Sequence, residues 1–177
     1  AEWEYQVNSQ WKSQLGLDDE LQNADVDVRI PIRREEGGIS NPISTGETRE
    51  AHIQGEFHNT GLYWKNKYAV EANWDVMPGL RFDRFSQTEE TFLLPRLSTE
   101  YRPRESWLFK AGTGLYVQPP EAAEASSQFG NPDIKSPQAV HLTFGVETDQ
   151  RPSHQDGSIY SISYFDRWFD RLVIQSS

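Results

Sequence analysis

The chain contains no cysteine and a single methionine in 177 residues. Without thiols there is no disulfide framework, no thiolate metal site and no cysteine redox chemistry. Positive charge is scarce as well: 17 Lys plus Arg stand against 27 Asp plus Glu, a net charge of −10 at pH 7. A surface of that sign repels phosphate, which argues against a nucleic-acid partner. Long apolar runs are missing too. Stretches such as Phe92-Leu93-Leu94 fall far short of the roughly 18 residues that a membrane-spanning helix needs. Ala1-Glu2-Trp3-Glu4-Tyr5 has neither a basic nor an apolar leader segment, so the N-terminus reads as that of a mature or excised chain.

What the chain does have is aromatic side chains, 12% of residues with six Trp, in a sequence whose mean hydropathy is −0.75. That mixture suits an all-β protein with aromatics on one face and charges on the other. The periodicity agrees. Tyr5, Val7, Trp11 and Leu15 fall on one parity, against Gln6, Asn8, Gln10, Lys12 and Gln14 on the other, and Asp18-Asp19-Glu20 reads as a break. Val26, Val28, Ile30 and Ile32 then alternate with Asp25, Asp27 and Arg29. Residues 34–49, with Gly37-Gly38, Asn41-Pro42 and Gly46, read as a long loop.

A third alternating stretch runs from Ala51 to about Ala69, and a fourth carries Trp74, Val76, Leu80 and Phe82 against Asp75, Met77, Arg81 and Asp83. Pro78-Gly79 lies inside the fourth, where Pro argues against a central strand of a soluble sheet but is tolerated near a strand end or bulge. Further strands follow around Leu93–Tyr101, Trp107–Val117 and Val140–Glu147, with an eighth from Tyr160 toward Ile174. Residues 119–137 form the second long loop. Breaks near 18–22, 70–73, 102–105 and 149–156 alternate with those near 34–49, 87–90 and 119–137. In an up-and-down antiparallel sheet the long loops therefore gather at one end, the asymmetry of outer-membrane barrels. Both chain termini fall at the long-loop end.

Alternation alone does not separate a soluble sandwich from a membrane barrel. Long strands, Trp and Tyr near strand ends (Trp3, Trp74, Tyr101, Trp107, Tyr116) and a polar parity of both charge signs favour the barrel. On that reading the interior is lined by Asp25, Asp27, Arg29, Arg81, Asp83, Arg96, Glu100 and Lys110.

Local matches point the same way. Trp74-Asp75-Val76-Met77-Pro78-Gly79-Leu80-Arg81-Phe82-Asp83 resembles the "tPGLRyD" strand of TonB-dependent outer-membrane receptors. In the same order, 95–103 resembles "PRlslsYrP", 108–116 resembles "lkagyGlY", 129–135 resembles the external loop "fGNPdLkPE", and Gly145-Val146-Glu147 resembles "lGvE". Ser136-Pro137-Gln138 departs from the loop pattern. The resemblance covers about residues 74–174 and implies an antiparallel transmembrane β-barrel, or a barrel segment of about eight strands, that takes part in uptake of a metal chelate, vitamin or glycan. Receptors of this kind close about 22 strands around a plug. The chain shows no plug segment or energy-coupling box, and Ile174-Gln175-Ser176-Ser177 lacks a terminal aromatic. The partners implied are outer-membrane lipid, a second chain supplying the remaining strands and plug, and, through that part, a periplasmic energy-coupling protein. Two alternatives stand beside this: a self-closed small barrel acting as scaffold or adhesin, and a soluble aromatic-rich glycan-binding domain.

The site candidates follow from the barrel reading. Arg81, Asp83, Arg96, Glu100 and Lys110 share the polar parity and either contact a plug or pair among themselves in a hydrated lumen. Glu121, Phe129, Asn131, Asp133 and Lys135 lie in the loop best placed for external contacts. His52 and His58, six residues apart on one face, are roughly 20 Å apart at strand rise, too far to share a metal. His141 and His154 have no ligand partner in the sequence. Asp18-Asp19-Glu20 lacks the spacing of a calcium loop. No nucleophile elbow and no paired catalytic acids stand out, so the reading is a non-enzyme without cofactor.

Overall fold

The computed structural model describes residues 1–31, 48–121, 124–125, 130–151 and 156–172. Eight strands form one antiparallel sheet in sequence order: β1 (Glu2–Gln6), β2 (Trp11–Pro31), β3 (Thr48–Glu71), β4 (Trp74–Phe85), β5 (Glu90–Arg104), β6 (Trp107–Val117), β7 (Gln138–Asp149) and β8 (Ile159–Asp170). Every neighbouring pair is a hairpin, so the topology is up-and-down. β1 and β8 do not pair with each other among the described residues, and no second sheet faces Trp107, Phe109 or Leu142. Among the described residues the sheet is thus neither closed on itself nor packed against a second one.

The strand count agrees with the sequence reading, but the first boundaries do not. Asp18-Asp19-Glu20 is no break; it lies in the middle of β2, paired with Asn59–Gly61 of β3. The first turn comes earlier, at Val7–Gln10. Asn8 Oδ1 accepts the amides of Gln10 and Trp11 at 2.9 Å each, an Asx turn that reverses the chain with no Gly or Pro. Pro78 lies at neither a strand end nor a bulge. It sits inside the central strand β4 opposite Leu97, and the β3–β4 ladder steps over it from Lys65–Gly79 to Tyr68–Val76, as a residue without N–H requires. The long loop expected at 34–49 falls almost wholly outside the described residues, as do the last residues of the run expected toward Ile174.

The register divides the sheet into two faces. Leu17, Leu62, Phe82 and Leu93 lie on one pairing line, and Trp11, Tyr68, Val76 and Thr99 on another, all on the apolar face. On that face β4 is apolar from Trp74 to Phe82, and the next outward position is Arg84. At about 3.3 Å per residue and a tilt of about 40°, those nine positions rise about 20 Å, close to the ~25 Å apolar band of an outer-membrane barrel. Trp11, Tyr68, Trp74, Tyr101, Trp107 and Tyr160 mark the short-turn end of this band, all exposed. Polar atoms inside the band are satisfied locally by indoles: Trp64 Nε1 donates to Ser13 Oγ at 2.8 Å, Trp74 Nε1 to Thr99 Oγ1 at 2.8 Å, and Trp11 Nε1 to buried Asn66 Oδ1 at 3.0 Å.

β2 and β3, with 21 and 24 residues, rise far beyond that band. Beyond Leu21 the pattern inverts. Asp25, Asp27 and Arg29 share the face of Leu15, Leu17 and Leu21, while Ala24 and Val26 share the face of Asp18. The expectation that these three charges line the interior is thus corrected. The ladder from Trp11 to Pro31 is continuous, so no bulge resets the parity. The physical reason is the change of surroundings: past the band the outer side of the ribbon meets water, and ionic pairs such as Arg29–Glu50 (2.9 Å) and His52–Asp27 (2.8 Å) take the outer position.

A small apolar core lies on the ionic face at the long-connection end. Leu94 is only 1% exposed, Phe85 and Phe92 meet with ring centroids 5.8 Å apart, and Ala139 is buried on the same face. Ser136, fully buried, ties the β6–β7 connection to this core.

Candidate functional site: the ionic face of the wall

Arg81, Asp83, Arg96, Glu100 and Lys110 all lie on the ionic face, the first two toward the long connections and the last two toward the short turns. They do not form one cluster. Asp18, Gly61 and Asp83 are successive partners across β2, β3 and β4, and Gly61 leaves open the space above the ladder. The Arg81 guanidinium fills that space: Nε donates to Asp83 Oδ1 and Oδ2 at 2.8 and 2.9 Å, and Nη1 to Asp18 Oδ2 at 2.7 Å. A Cβ at Gly61 would strike the guanidinium. Asp83 is 5% exposed, so its charge is held away from water by a single N–H shared between its two oxygens.

Glu100 and Lys110 stand directly opposite each other in the ladder, yet each takes another partner. Arg102 Nη2 donates to Glu100 Oε2 at 2.7 Å, and Lys110 Nζ lies 3.6 Å from Glu147 Oε2. Arg96 has no acidic partner among the described residues. Its guanidinium sits 4.4 Å from the centroid of the Tyr116 ring, and Tyr116 stacks on His141 at 4.3 Å. Gly114 makes this possible, since a Cβ there would lie 2.9 Å from Arg96 Cγ.

The first limb of the β6–β7 connection, residues 118–121, runs along the ionic face. Val117, Gln118 and Pro119 border a hollow of about 420 Å³ together with Asp18, Arg81 and Arg96 of the ionic face. Pro120 is buried, and the next hollow places it with Glu121 beside Ala24 and Phe57. The far limb is fastened by Ser136, whose amide donates to Glu90 Oε2 at 2.8 Å. Of the loop candidates, Glu121 donates its amide to Glu124 Oε2 at 2.8 Å, and Asn131 organises a turn by accepting the amide of Asp133 at 3.0 Å. Lys135 is exposed, and Phe129 and His154 lie outside the described residues.

A family model described as "TonB dependent receptor-like, beta-barrel" matches residues 1–177. The chain belongs to that family. Among solved structures, a mutant of the ferric enterobactin receptor PfeA from Pseudomonas aeruginosa is similar with a TM-score of 0.68 and 20% identity, over 90% of this chain and 24% of that one. The siderophore receptor PirA from the same organism matches with a TM-score of 0.66 and 14% identity, over 95% and 31%. The copper transporter OprC matches with a TM-score of 0.55 and 16% identity, over 81% and 25%. No curated protein matches. The chain thus spans about a quarter to a third of the length of these structures.

Family membership extends the resemblance to residues 1–70, where local motifs gave no match, and accounts for an open sheet with two unpaired edges as barrel wall. The sequence reading missed three features of the site: Asp18 as the second carboxylate on Arg81, the Arg96–Tyr116–His141 stack, and the inward course of Gln118–Pro120. The first two depend on register across strands distant in sequence, and no local signal encodes them.

Proposed function

We propose that the chain is wall in an outer-membrane receptor of a Gram-negative bacterium, with its apolar face on lipid and its ionic face on the lumen. The observation that carries this is the exposed apolar face itself. Leu62, Trp64, Leu80, Phe82, Leu93, Leu97, Leu142 and Phe144 are all exposed on one side of one sheet, a contiguous patch that a water-soluble monomer does not carry. The aromatic row at the short-turn end fits a membrane interface. Arg81, Asp83, Arg96, Glu100 and Lys110 then line the lumen, and Glu121, Asn131, Asp133 and Lys135 belong to the connection at the external end.

The open edges of β1 and β8 call for further strands, and the ionic face for an occupant. Both come from outside these residues, as does coupling to a periplasmic energy source. Uptake of a scarce ligand such as a metal chelate, vitamin or glycan is the function this assembly serves. The test has two arms. Tryptophan fluorescence of the protein in vesicles carrying brominated lipids should be quenched, and deleting the gene should abolish uptake of one labelled ligand among a ferric chelate, a copper salt, a corrinoid and an oligosaccharide. Unquenched tryptophans would overturn the placement, and unchanged uptake of all four would overturn the transport role.

A further inference from the structure

Toward the long-connection end, the inner side of the β2–β3 ribbon and the first limb of the β6–β7 connection border two adjoining hollows. The lower one, about 420 Å³, lies between Gln22 and Asn59 of the ribbon and Gln118 of the connection. The upper one, about 360 Å³, continues past Gln22 to Ala24 and Phe57, with Pro119, Pro120 and Glu121 beside them. Gln22, Gln118 and Pro119 border both. Each volume falls in the range of roughly 300–1,000 Å³ that small-ligand sites occupy.

The upper hollow is built around one aromatic ring. Phe57 shares the ionic face with Asn59 and Gly61. Its ring lies over Gly55, where a Cβ would come within 2.7 Å of it, so glycine is what lets the ring lie along the strand. With Ala24, Pro119 and Pro120 it forms a patch without a polar side-chain atom. Amides flank that patch. Asn59 Oδ1 is buried with no hydrogen-bond partner, a state whose cost an incoming donor removes. A hydroxyl both donates and accepts, so it satisfies Asn59, Gln22 or Gln118 whichever way each amide is turned.

Charge narrows the choice of ligand. The upper hollow is bordered by Glu121 and by no cation. In the lower one Arg81 is engaged by Asp18 and Asp83, and the Arg96 guanidinium is seated on the Tyr116 ring. Glu20 and Glu121 have no ion pair among the described residues, and Glu20 accepts only a long hydrogen bond from Gln22 at 3.4 Å. An anionic chelate therefore meets unpaired carboxylates, and such like-charge contacts reject a ligand. A compact cation is not favoured either, because Glu20 borders the lower hollow and Glu121 the upper one, so the two do not converge.

We propose that the two hollows bind an uncharged, hydroxyl-rich chain, a neutral oligosaccharide, with one sugar ring packed on Phe57 and hydroxyls of the next meeting Asn59, Gln22 and Glu20. The face of an aromatic ring is electron-rich and attracts the C–H groups on the flat side of a sugar. Amide and carboxylate oxygens accept its hydroxyl protons. Phe57 and Asn59 alternate on one face, about 7 Å apart at strand rise, so one short chain touches both. The inference rests on the receptor reading above and deepens it by choosing one ligand class among metal chelate, vitamin and glycan.

Native outer-membrane vesicles carrying the assembled receptor test it. They are laid on an array of neutral, acidic and amino oligosaccharides and titrated separately with an anionic ferric tris-catecholate and a corrinoid, with vesicles lacking the gene as the blank. At least one neutral oligosaccharide should retain the native receptor, and neither the chelate nor the corrinoid should bind. F57A should weaken the retention about tenfold, and G55V, which displaces the ring without removing it, should act in the same direction. Heat-modifiable gel migration confirms that each variant is assembled. The double variant E20K/E121K should gain chelate binding. Retention by acidic or amino sugars alone, by no sugar, or undiminished in F57A would overturn the proposal, as would chelate binding by the native receptor. Lipid quenching of the tryptophans together with uptake of the chelate or corrinoid, in the absence of sugar binding, would show that the ligand class alone had failed and the receptor reading stood.

Discussion

The guanidinium of Arg81 bridges Asp18, 63 residues away in sequence, and Asp83, two residues away on its own strand. The bridge passes over Gly61, which lies between the two acids in the ladder. Three strands are thereby fixed in register at one point on the ionic face. Removing the cation by R81M leaves Asp83 buried beside a second carboxylate. Breaking one side of a mostly buried pair is strongly destabilising. With Arg81 about a quarter exposed, the expected cost is about 2 kcal/mol, below the ~3–5 kcal/mol of a fully buried pair. Urea titration followed by heat-modifiable gel migration checks it. G61V should produce a loss of similar size by a different route, since its side chain enters the space the guanidinium fills.

Two glycines of the ionic face should respond unequally to alanine. At Gly114 a Cβ would lie 2.9 Å from Arg96 Cγ and 3.2 Å from the Tyr116 ring, so G114A pushes the guanidinium off its aromatic seat. At Gly79 the nearest atoms to a Cβ are Trp64 O at 3.5 Å and Arg96 Cβ at 3.9 Å, ordinary contact distances. Overpacking costs about 1–3 kcal/mol, so G114A should lower the urea midpoint while G79A leaves it unchanged or raises it. Equal effects would show that the space around Arg96 is not limiting.

These relations mark the limit of what the sequence carries. Strand existence was legible because an alternating face is a local property: Trp107, Phe109, Ala111, Thr113 and Leu115 announce β6 without knowledge of any neighbour. Within the band the alternation sets Arg81, Asp83, Arg96, Glu100 and Lys110 on one face of the sheet, opposite Leu80, Phe82 and Leu97. Face assignment failed at Asp25, Asp27 and Arg29, because which parity is apolar depends on what surrounds the strand, and the surroundings change along β2. The first turn was missed because Asn8 makes it by a side-chain hydrogen bond and not by Gly or Pro. Asp18 as a partner of Arg81, and the hollow shared by Gln22, Asn59 and Gln118, need the register of several hairpins at once.

The change of surroundings along β2 is itself testable. Leu97 faces outward in the middle of the band, paired with Pro78 and Thr113, whereas Leu21 lies on the same side but opposite His58, beyond the band. L97R should cost about 2–4 kcal/mol of folding into vesicles, the penalty for Arg near the bilayer midplane. L21R should stay within about 0.5 kcal/mol, as for a surface position. A guanidinium chloride titration of the vesicle-embedded protein reads both. A similar cost at the two positions would mean that the ribbon above residue 20 also contacts lipid.

The docking of the β6–β7 connection should fail in acid. Burial pushes the Glu90 carboxyl up, but the Ser136 amide and hydroxyl, the Thr88 hydroxyl and the nearby Lys135 charge outweigh it and hold the group below its ordinary value of 4.5. A carboxylate with a depressed folded-state pKa stabilises fully above the unfolded value and loses that contribution as pH falls through the folded one. The Ser136–Glu90 contact is therefore intact at neutral pH and weakens below about pH 4.5. A hydrogen bond to a charged group contributes about 1.5 kcal/mol or more, close to tenfold in an opening equilibrium. Hydrogen exchange of residues 130–137 should accordingly speed up about tenfold beyond its intrinsic pH dependence between pH 5 and pH 3. In E90Q the segment should exchange fast at every pH, because the neutral amide keeps an acceptor for Ser136 but removes the charge that also meets Arg171 at 3.3 Å. A pH-independent native segment would show that the buried Ser136 side chain, and not the Glu90 charge, fastens the connection.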